Sequence, residues 1–324
     1  MKKSYKKKKL FYNILLIFIS AFVSLIILES FLIIKNKYII NYDSEMWKYS
    51  KLLKTKSKNN LINHVHLKNV NAQLQNVNIN INSIGIRGQE KDLTEWDRAT
   101  KKILFIGSSI TLGWGVEEKQ TLTSMLENKL NSDTKTLWKI LNGGIGNYNT
   151  QRYVVNYNEN LKLLKPDIIV IHYFLNDSEI LPNSYGNIFT RNFHLAALLW
   201  KYITIKKDSS KFNNVYDYYD YFYQDDIFKN TEKYLKIMSE ECRINKIRCI
   251  IAYTPDIQFL NNAKFDKFEK IVELTTKKLG FEYLSLTPEL KKTKDPLKNN
   301  YNDNHPNYIA HKIMSTTIYN YLLN

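Results

Sequence analysis

The sequence predicts a doubly wound α/β domain that follows an N-terminal membrane-spanning helix. The first observation is a run of 21 residues, Ile14–Ile34, in which Glu29 is the single charged residue. The second is an alternation of short apolar segments with longer helical patterns from Lys101 onward, which is typical of strands and helices around a parallel sheet. With 324 residues, 44% of them hydrophobic, the chain can bury a sizeable core.

The N-terminal region is typical of an uncleaved membrane anchor. Residues 1–9 form a basic tail with six lysines, and residues 10–34 form the predicted transmembrane helix, because a bilayer core needs about 20 apolar residues. The positive-inside rule keeps the tail in the cytoplasm and places the remaining chain on the periplasmic or extracellular side. A cleaved signal peptide is the alternative, but its apolar region is about 7–15 residues long and no small-residue cleavage site follows here. Glu29 lies near the far end, where it can reach the interface.

Charge and cysteine content constrain the compartment and the partners. Residues 1–40 carry +7 of the net charge of +16, and the other residues carry +9. The lysines beyond the anchor are scattered and no nucleic-acid-binding motif accompanies them, so we expect no nucleic-acid partner. The excess charge suits an anionic envelope surface or polymer. Cys242 and Cys249 either pair outside the cytoplasm or stay as two separate thiols.

The alternating elements begin after a polar, asparagine-rich region, residues 35–100, which we interpret as a stalk and lead-in. The domain is predicted at 101–324, as a flavodoxin-like three-layer sandwich with about five parallel strands. The strands are short, nearly continuous apolar runs, predicted at Lys102–Ile106, Thr136–Leu141, Asp167–Tyr173, Arg248–Tyr253 and Phe281–Ser285. The helices between and after them are predicted at Leu122–Leu130, Thr150–Leu164, Thr231–Cys242, Ala263–Leu279 and Asn307–Leu322.

An insertion at 180–228 interrupts this alternation. It contains an apolar run, Phe193–Ile205, and an aromatic run, Val215–Tyr223. The aromatic run is either a packed loop or helix, or a lid or wall that faces carbohydrate.

Chemically useful residues follow the predicted strands, at the edge where open α/β sheets bind ligands. Ser109 follows the first strand at a strand-to-helix turn, a location that suits a nucleophile and its oxyanion. The glycine-rich segment Asn142–Thr150 follows the second strand, and Asn176 follows the third, where its amide can donate to an oxyanion. Near the C-terminus, Asp303 lies two residues before His305 and can orient that imidazole.

In this order, the segments resemble the four blocks of the SGNH/GDSL hydrolase family, in its membrane-anchored bacterial type. The resemblance runs from about residue 78 to the end, and it includes the lead-in Asn82–Gly88. The four blocks are Gly107-Ser108-Ser109-Ile110, Asn142–Thr150, Asn176-Asp177 and Asp303–Asn307.

The resemblance implies a triad of Ser109, His305 and Asp303, with oxyanion donors from Gly146 or Asn147 and from Asn176. Three departures from the family pattern bear on this assignment. The Asp of Gly-Asp-Ser is replaced by Ser108, the oxyanion glycine aligns with Asn147, and the usual acid position is Asn302, one residue before Asp303.

Other histidines have ordinary structural interpretations. His172 lies inside a predicted strand, where a core role is expected, and His311 is expected to pack or cap on the last helix. His64 and His66 alternate in the stalk, but no cysteine or carboxylate completes a metal site near them. We therefore expect no metal, and no cofactor.

These observations predict a membrane-anchored, extracytoplasmic serine esterase that acts on acyl esters, acetyl esters in particular, of envelope or exported polysaccharide. Its partners are then an acylated carbohydrate or other ester substrate and the lipid bilayer. An O-acyltransferase with the same triad and a non-catalytic polysaccharide-binding or assembly protein remain as alternatives. A nucleotide-binding domain is disfavoured, because the sequence has no Gly-x-Gly-x-x-Gly run and no P-loop lysine.

Overall fold

The computed structural model describes residues 2–183, 185–209, 211–299 and 303–324. The chain begins with one long helix, α1 (Lys2–Tyr38). In length and composition α1 is able to cross a membrane, and an N-terminal signal sequence would meet the same criterion. Most apolar side chains between Leu10 and Ile34 are exposed, which is typical of a helix that needs an apolar surrounding.

Residues 35–100, which we interpreted as a stalk and lead-in, are largely folded against the domain. In the segment VNINI, two asparagines alternate with buried Val77, Ile79 and Ile81. The segment therefore has the two-residue period of a β-strand, although its average polarity does not indicate one. The elements of this region are α2 (Tyr42–Leu53), β1 (Lys54–Lys56), β2 (His64–His66), β3 (Val70–Leu74), β4 (Val77–Ile81) and α3 (Glu90–Arg98). β1 pairs with β2 and β3 with β4, both antiparallel. Side chains of α2, β3 and β4 form one apolar cluster with Leu112 and Trp114 of the domain.

A five-stranded parallel sheet forms the centre of the domain, in the order β6-β5-β7-β8-β9. This is the flavodoxin-like order, and the predicted fold class is confirmed. The strands are β5 (Lys101–Gly107), β6 (Trp138–Gly144), β7 (Ile168–Phe174), β8 (Arg248–Thr254) and β9 (Glu282–Ser285). The helices are α4 (Ser109–Leu112), α5 (Leu122–Asp133), α6 (Thr150–Asn156), α7 (Ile188–Asn192), α8 (His194–Ser209), α9 (Val215–Phe222), α10 (Asp225–Asn245), α11 (Asp266–Lys278), α12 (Thr287–Lys292) and α13 (Tyr308–Leu323).

Helices cover both faces of the sheet. In β5, Ile103 and Phe105 belong to one apolar cluster with α5, α12 and α13. Leu104 and Ile106 belong to the other cluster, with α6, α10 and α11. Because successive strand residues point to opposite faces, an uninterrupted apolar strand is buried on both sides, as the sequence pattern predicts.

A disulfide joins Cys242, near the end of α10, to Cys249 in β8. It bridges the helix-to-strand turn, so of the two alternatives for these cysteines the structure has the paired one. The aromatic run in the insertion forms a packed helix, α9, because Tyr219 and Phe222 are buried and Tyr219 contacts Phe265 and Phe268. Tyr219 also lines the cavity that contains Ser109, so one ring of the run forms part of a wall there.

Candidate active site

The turn from β5 into α4 presents Ser109 at the start of a helix. A Cβ atom at Gly107 would lie 2.1 Å from Thr111 Oγ1 and 2.8 Å from the His172 carbonyl oxygen, so glycine permits this close approach. The first N–H groups of a helix have no partner within it. Ser109 therefore lies beside backbone N–H groups that can donate hydrogen bonds to a developing negative charge.

Arg87, from the lead-in segment, holds the other end of α4. It is buried, and its Nη1 donates to the carbonyls of Leu112 and Gly113, while Nη2 donates to Val116, each at 2.7 Å. These carbonyls follow the last turn of the helix, where partners within the helix are missing. Burial lowers the Arg87 pKa to about 10. The segment 82–88 thus fixes the turn that carries Ser109.

Ser109, His305 and Asp303 form one line of hydrogen bonds. Ser109 Oγ lies 2.7 Å from His305 Nε2, and His305 Nδ1 lies 2.6 Å from Asp303 Oδ1. Because a carboxylate only accepts, Nδ1 carries the proton and Nε2 is free to accept from the serine hydroxyl. The same Oδ1 accepts the His305 backbone N–H at 3.0 Å. Asn302, the position at which the family pattern expects the acid, lies outside the described residues.

Gln75 contacts the second oxygen of Asp303. Its Nε2 donates to Asp303 Oδ2 at 2.6 Å, from the tight turn between β3 and β4, where the φ angle of Gln75 is 50°. Its backbone N–H donates to buried Glu45 at 2.6 Å. Burial alone would raise the pKa of Asp303, but the hydrogen bonds from His305 and Gln75 outweigh it and hold that pKa below its ordinary value.

The loop after β6 contains both backbone candidates for the oxyanion hole. The Gly146 N–H donates to Tyr49 Oη at 2.9 Å, so it is already engaged. Asn147 lines the cavity beside Ser109, with a left-handed φ of 65°. Of the two candidates, Asn147 is therefore the one whose backbone N–H is not already engaged in this structure.

The N-terminal region fixes this loop from behind. The Gly146 carbonyl accepts from Lys54 Nζ at 2.7 Å and contacts His64 Nε2 at 2.9 Å. A Cβ atom at Gly146 would lie 2.6 Å from the Tyr49 ring, so this position requires glycine for packing. His66 Nε2 lies 2.6 Å from Tyr49 Oη. The paired histidines of the predicted stalk thus support the loop.

Asn176 lies on the short turn that follows β7 and lines the same cavity. Its neighbour Asp177 is buried, and Asp177 Oδ2 accepts the Phe174 N–H at 3.1 Å. Burial raises the pKa of Asp177 well above its ordinary value. Asp177 therefore closes the turn that presents Asn176.

Ser109 and His305 line a cavity of about 210 Å³. Its other residues include Tyr42, Glu179 and Asp256, which the sequence analysis did not single out. Asp256 lies two residues after the end of β8 and could have been found there, whereas no local signal distinguishes Tyr42 or Glu179. The Tyr42 ring lies 5.7 Å from the His305 ring, and burial raises the Glu179 pKa to about 7.

Two further histidines have structural roles. His172 lies in the core, 2.7 Å from Thr254 Oγ1, and burial lowers its pKa to about 4. His311 accepts the Leu122 N–H at the start of α5, at 3.1 Å. Among the residues that the structure describes, no group of three or more His, Cys, Asp or Glu is arranged to hold a metal ion.

Comparison with known proteins gives one matching family model and several solved structures of low sequence identity. The model of the GDSL-like Lipase/Acylhydrolase family matches residues 105–313. Among solved structures, TesA is 12% identical with a TM-score of 0.46, and the match covers 68% of this chain and 98% of that chain. The acetyl xylan esterase AlAXEase is 12% identical with a TM-score of 0.45, covering 68% of this chain and 99% of its own. A catalytic mutant of Axe2, an acetylxylan esterase from Geobacillus stearothermophilus, is 16% identical with a TM-score of 0.45, covering 68% and 93%.

No curated protein sequence matches the chain. The family model nevertheless spans well over half of the residues, and it extends from β5 into α13. The chain therefore belongs to the GDSL-like lipase/acylhydrolase family and is a serine hydrolase of ester bonds.

Proposed function

We propose that the protein is a membrane-anchored, extracytoplasmic esterase that removes short acyl groups, acetyl groups in particular, from envelope or exported polysaccharide. The observation that carries this proposal is the hydrogen-bonded line from Ser109 through His305 to Asp303, with distances of 2.7 and 2.6 Å, at the wall of a small cavity. Ser109 is the nucleophile, His305 the general base and Asp303 the group that orients the imidazole.

In the first half of the reaction, Ser109 Oγ attacks the ester carbonyl carbon while its proton moves to His305 Nε2. Asp303 then stabilises the imidazolium, which is charged only at this stage. The imidazolium returns the proton to the departing alcohol oxygen as the carbon–oxygen bond breaks, leaving an acyl-serine. In the second half, water attacks the acyl-serine by the same proton transfers and releases the acid.

The tetrahedral oxyanion is stabilised by the backbone N–H groups of Ser109 and Asn147 and by the Asn176 side-chain amide. The start of α4 supports the first donor and the left-handed backbone of Asn147 supports the second. The third comes from the turn that Asp177 closes. Loss of one such donor typically lowers kcat about 100- to 1,000-fold.

The size and lining of the cavity support a short acyl group on a polar carrier. At about 210 Å³, the cavity is smaller than the roughly 300–1,000 Å³ that typical ligand pockets enclose. Tyr42, Phe174 and Leu181 supply apolar walls, and Glu179 and Asp256 supply carboxyl groups. Sugar hydroxyls both donate and accept hydrogen bonds, so they are suitable partners for these carboxyl groups in either protonation state.

Two features support the proposed membrane anchor and the proposed export of the domain. α1 combines an apolar run with a basic N-terminal tail, which orients such a helix with its N-terminus in the cytoplasm. The Cys242–Cys249 disulfide is also consistent with a domain outside the cytoplasm, since disulfides persist in oxidising compartments.

The test is turnover of p-nitrophenyl acetate and p-nitrophenyl octanoate by the full chain in detergent. We expect faster turnover of the acetate, and a loss of about 10⁶-fold for Ser109→Ala, since that is the scale seen when a triad serine is removed. His305→Ala should also be inactive. Equal rates for the wild type and both variants would contradict the assignment. Acetyl transfer to an added sugar, with little release of acetate, would instead identify the acyltransferase alternative.

A further inference from the structure

The helices α7 and α8, in the insertion, expose an apolar surface that nothing covers within the described part of the chain. Monomeric soluble proteins seldom expose an extended apolar patch, and such patches mark interaction or membrane sites. The exposed fractions of its large side chains range from 48% to 71% for Ile188, Phe189, Phe193, Leu198, Leu199, Trp200, Tyr202 and Ile203.

Glu29, the one charged residue in the apolar run of α1, fixes the start of α8 against that run. Its Oε1 accepts the His194 N–H at 2.7 Å, and its Oε2 accepts the Leu195 N–H at 2.9 Å. Seven residues further along α1, Asn36 Nδ2 donates to His194 Nδ1 at 2.9 Å. A carboxylate at a helix N-terminus satisfies two free N–H groups and is favoured by the helix dipole.

This contact sets the depth of α8 relative to a bilayer. Glu29 lies five residues before Ile34, the end of the apolar run. At a rise of 1.5 Å per residue, that is about 7.5 Å inside the apolar end of α1. Interfacial helices bury their apolar side chains about 5–10 Å into the boundary between headgroups and acyl chains. If α1 spans the membrane, the start of α8 must lie at that depth.

We propose that α7 and α8 insert into the outer face of the bilayer beside α1 and form a second membrane-contacting surface. The occupant of this surface is phospholipid. The inference rests on the anchoring role proposed for α1, and it gives Glu29 a structural partner. Lys35 and Lys37, in the last turn of α1, come directly after the apolar run, at the same membrane face as α8. Lysines at this position suit lipid phosphates.

The surface also brings the candidate active site close to the membrane. A cavity of about 930 Å³ lies between α1, α2 and α8. Tyr42 and Met46 line both this cavity and the one that contains Ser109. A substrate ester carried by a molecule at the bilayer surface would therefore be held close to Ser109.

Trp200 provides the test, because lipids with brominated acyl chains quench tryptophan fluorescence on contact. The full chain is placed in nanodiscs of phosphatidylcholine and phosphatidylglycerol, with or without bromine, and co-elution with the discs is checked. We expect quenching in the wild type, and a clear reduction of that quenching in Trp200→Phe. Trp47, whose ring lies 4.2 Å from the His194 ring at the start of α8, accounts for the quenching that remains. Trp138→Phe is the matched control and should keep it, since Trp138 begins β6, at the opposite end of the strands from the site.

Equal quenching in the wild type and in Trp200→Phe would overturn the proposal. An unquenched wild type would also overturn the proposal, because it would indicate that a second copy covers α8 and shields Trp200 from lipid. A chain that does not co-elute with nanodiscs would overturn both the anchor and this surface. The readout does not involve ester turnover, so its failure is distinguishable from failure of the proposed esterase.

Discussion

Asp303 receives hydrogen bonds from His305, two residues away, and from Gln75, 228 residues away. Each carboxylate oxygen therefore has a donor, and the burial cost of the charge is offset. At the altered spacing, Asp303 Oδ1 still lies 2.6 Å from His305 Nδ1, as the proposed triad requires.

Gln75→Met tests Gln75 as a positioning residue. It removes a hydrogen bond to a charged group, about 1.5–3 kcal/mol, and we expect kcat/KM to fall about 10- to 100-fold. Without this donor the Asp303 pKa rises and the carboxylate stabilises the imidazolium more strongly, so the acid limb of the pH profile should move to higher pH. Gln73→Met, on the exposed side of β3, is the control. A lower rate with an unmoved pH profile would indicate a structural role only.

Ionisation of the Glu179 carboxyl makes the stability of the folded protein depend on pH. Its pKa in the folded protein is about 7, raised by burial from 4.5. The protonated form is favoured in the fold, so this contribution to stability is complete below about pH 4 and is lost as pH rises through 7. We expect the Tm of Glu179→Gln, relative to wild type, to increase from pH 5 to pH 8.

The control for this comparison is Glu240→Gln, on the exposed side of α10, whose Tm relative to wild type should not change with pH. A Glu179→Gln difference that is the same at pH 5 and pH 8 would contradict the burial of this carboxyl.

The sequence could predict Ser109, Asn147, Asn176, Asp303 and His305 as candidates, because each follows a recognisable strand or lies in a recognisable block. It could not predict Gln75, since a glutamine before an asparagine between two alternating segments indicates only a turn. Its contact with Asp303 depends on how the hairpin packs, and no local pattern encodes that.

At the scale of elements, α2 and the β1–β2 pair act as a support for the loop after β6. Tyr49 is the central contact: Oη accepts from the Gly146 N–H and lies 2.6 Å from His66 Nε2. His66 Nδ1 faces the Gly85 carbonyl at 3.1 Å and so carries the proton, which leaves Nε2 to accept from the tyrosine hydroxyl.

Tyr49→Phe should therefore weaken both the fold and the reaction. The Gly146 N–H and His66 Nε2 lose their buried partner, at about 1–3 kcal/mol for each unsatisfied group. We expect a Tm lower by several degrees and a reduced kcat, because Asn147 follows Gly146 directly. Tyr221→Phe, on the more exposed side of α9, is the control. An unchanged kcat would show that Tyr49 supports the fold and does not position the oxyanion hole.

The sheet strands and most helices could be predicted within a few residues, because parallel strands buried on both faces are continuous apolar runs. The predicted helix Thr150–Leu164 is α-helical only to Asn156 and continues as a π turn and a 3₁₀ turn. The hairpins before residue 100 escaped prediction for another reason: their buried positions alternate with asparagine, and their partners lie elsewhere in the chain.

At the scale of the whole molecule, the division at residue 101 stays a prediction, and the contacts argue for an earlier start of the folded unit. Leu112 and Trp114 are buried against α2, β3 and β4. The net charge divides at residue 40: residues 1–40 carry +7, and the residues beyond them carry +9.

Two truncations test the extent of the folded unit. We expect a chain of residues 40–324, in detergent, to keep its fold and ester turnover, because it loses α1 alone. A chain of residues 101–324 should unfold or lose turnover, since it uncovers Leu112 and Trp114, at about 1.5–3 kcal/mol for each large apolar side chain. Circular dichroism and p-nitrophenyl acetate turnover are the measurements. Equal activity of the two chains would show that residues 40–100 are dispensable.

The central claim is that Ser109 is the nucleophile of an intact triad. It is tested most directly by fluorophosphonate labelling of the full chain, with the labelled residue located by mass spectrometry. We predict stoichiometric labelling at Ser109, retained in Ser108→Ala and abolished in Ser109→Ala. Labelling that persists in Ser109→Ala, or a folded wild type that takes up no label, would contradict the account.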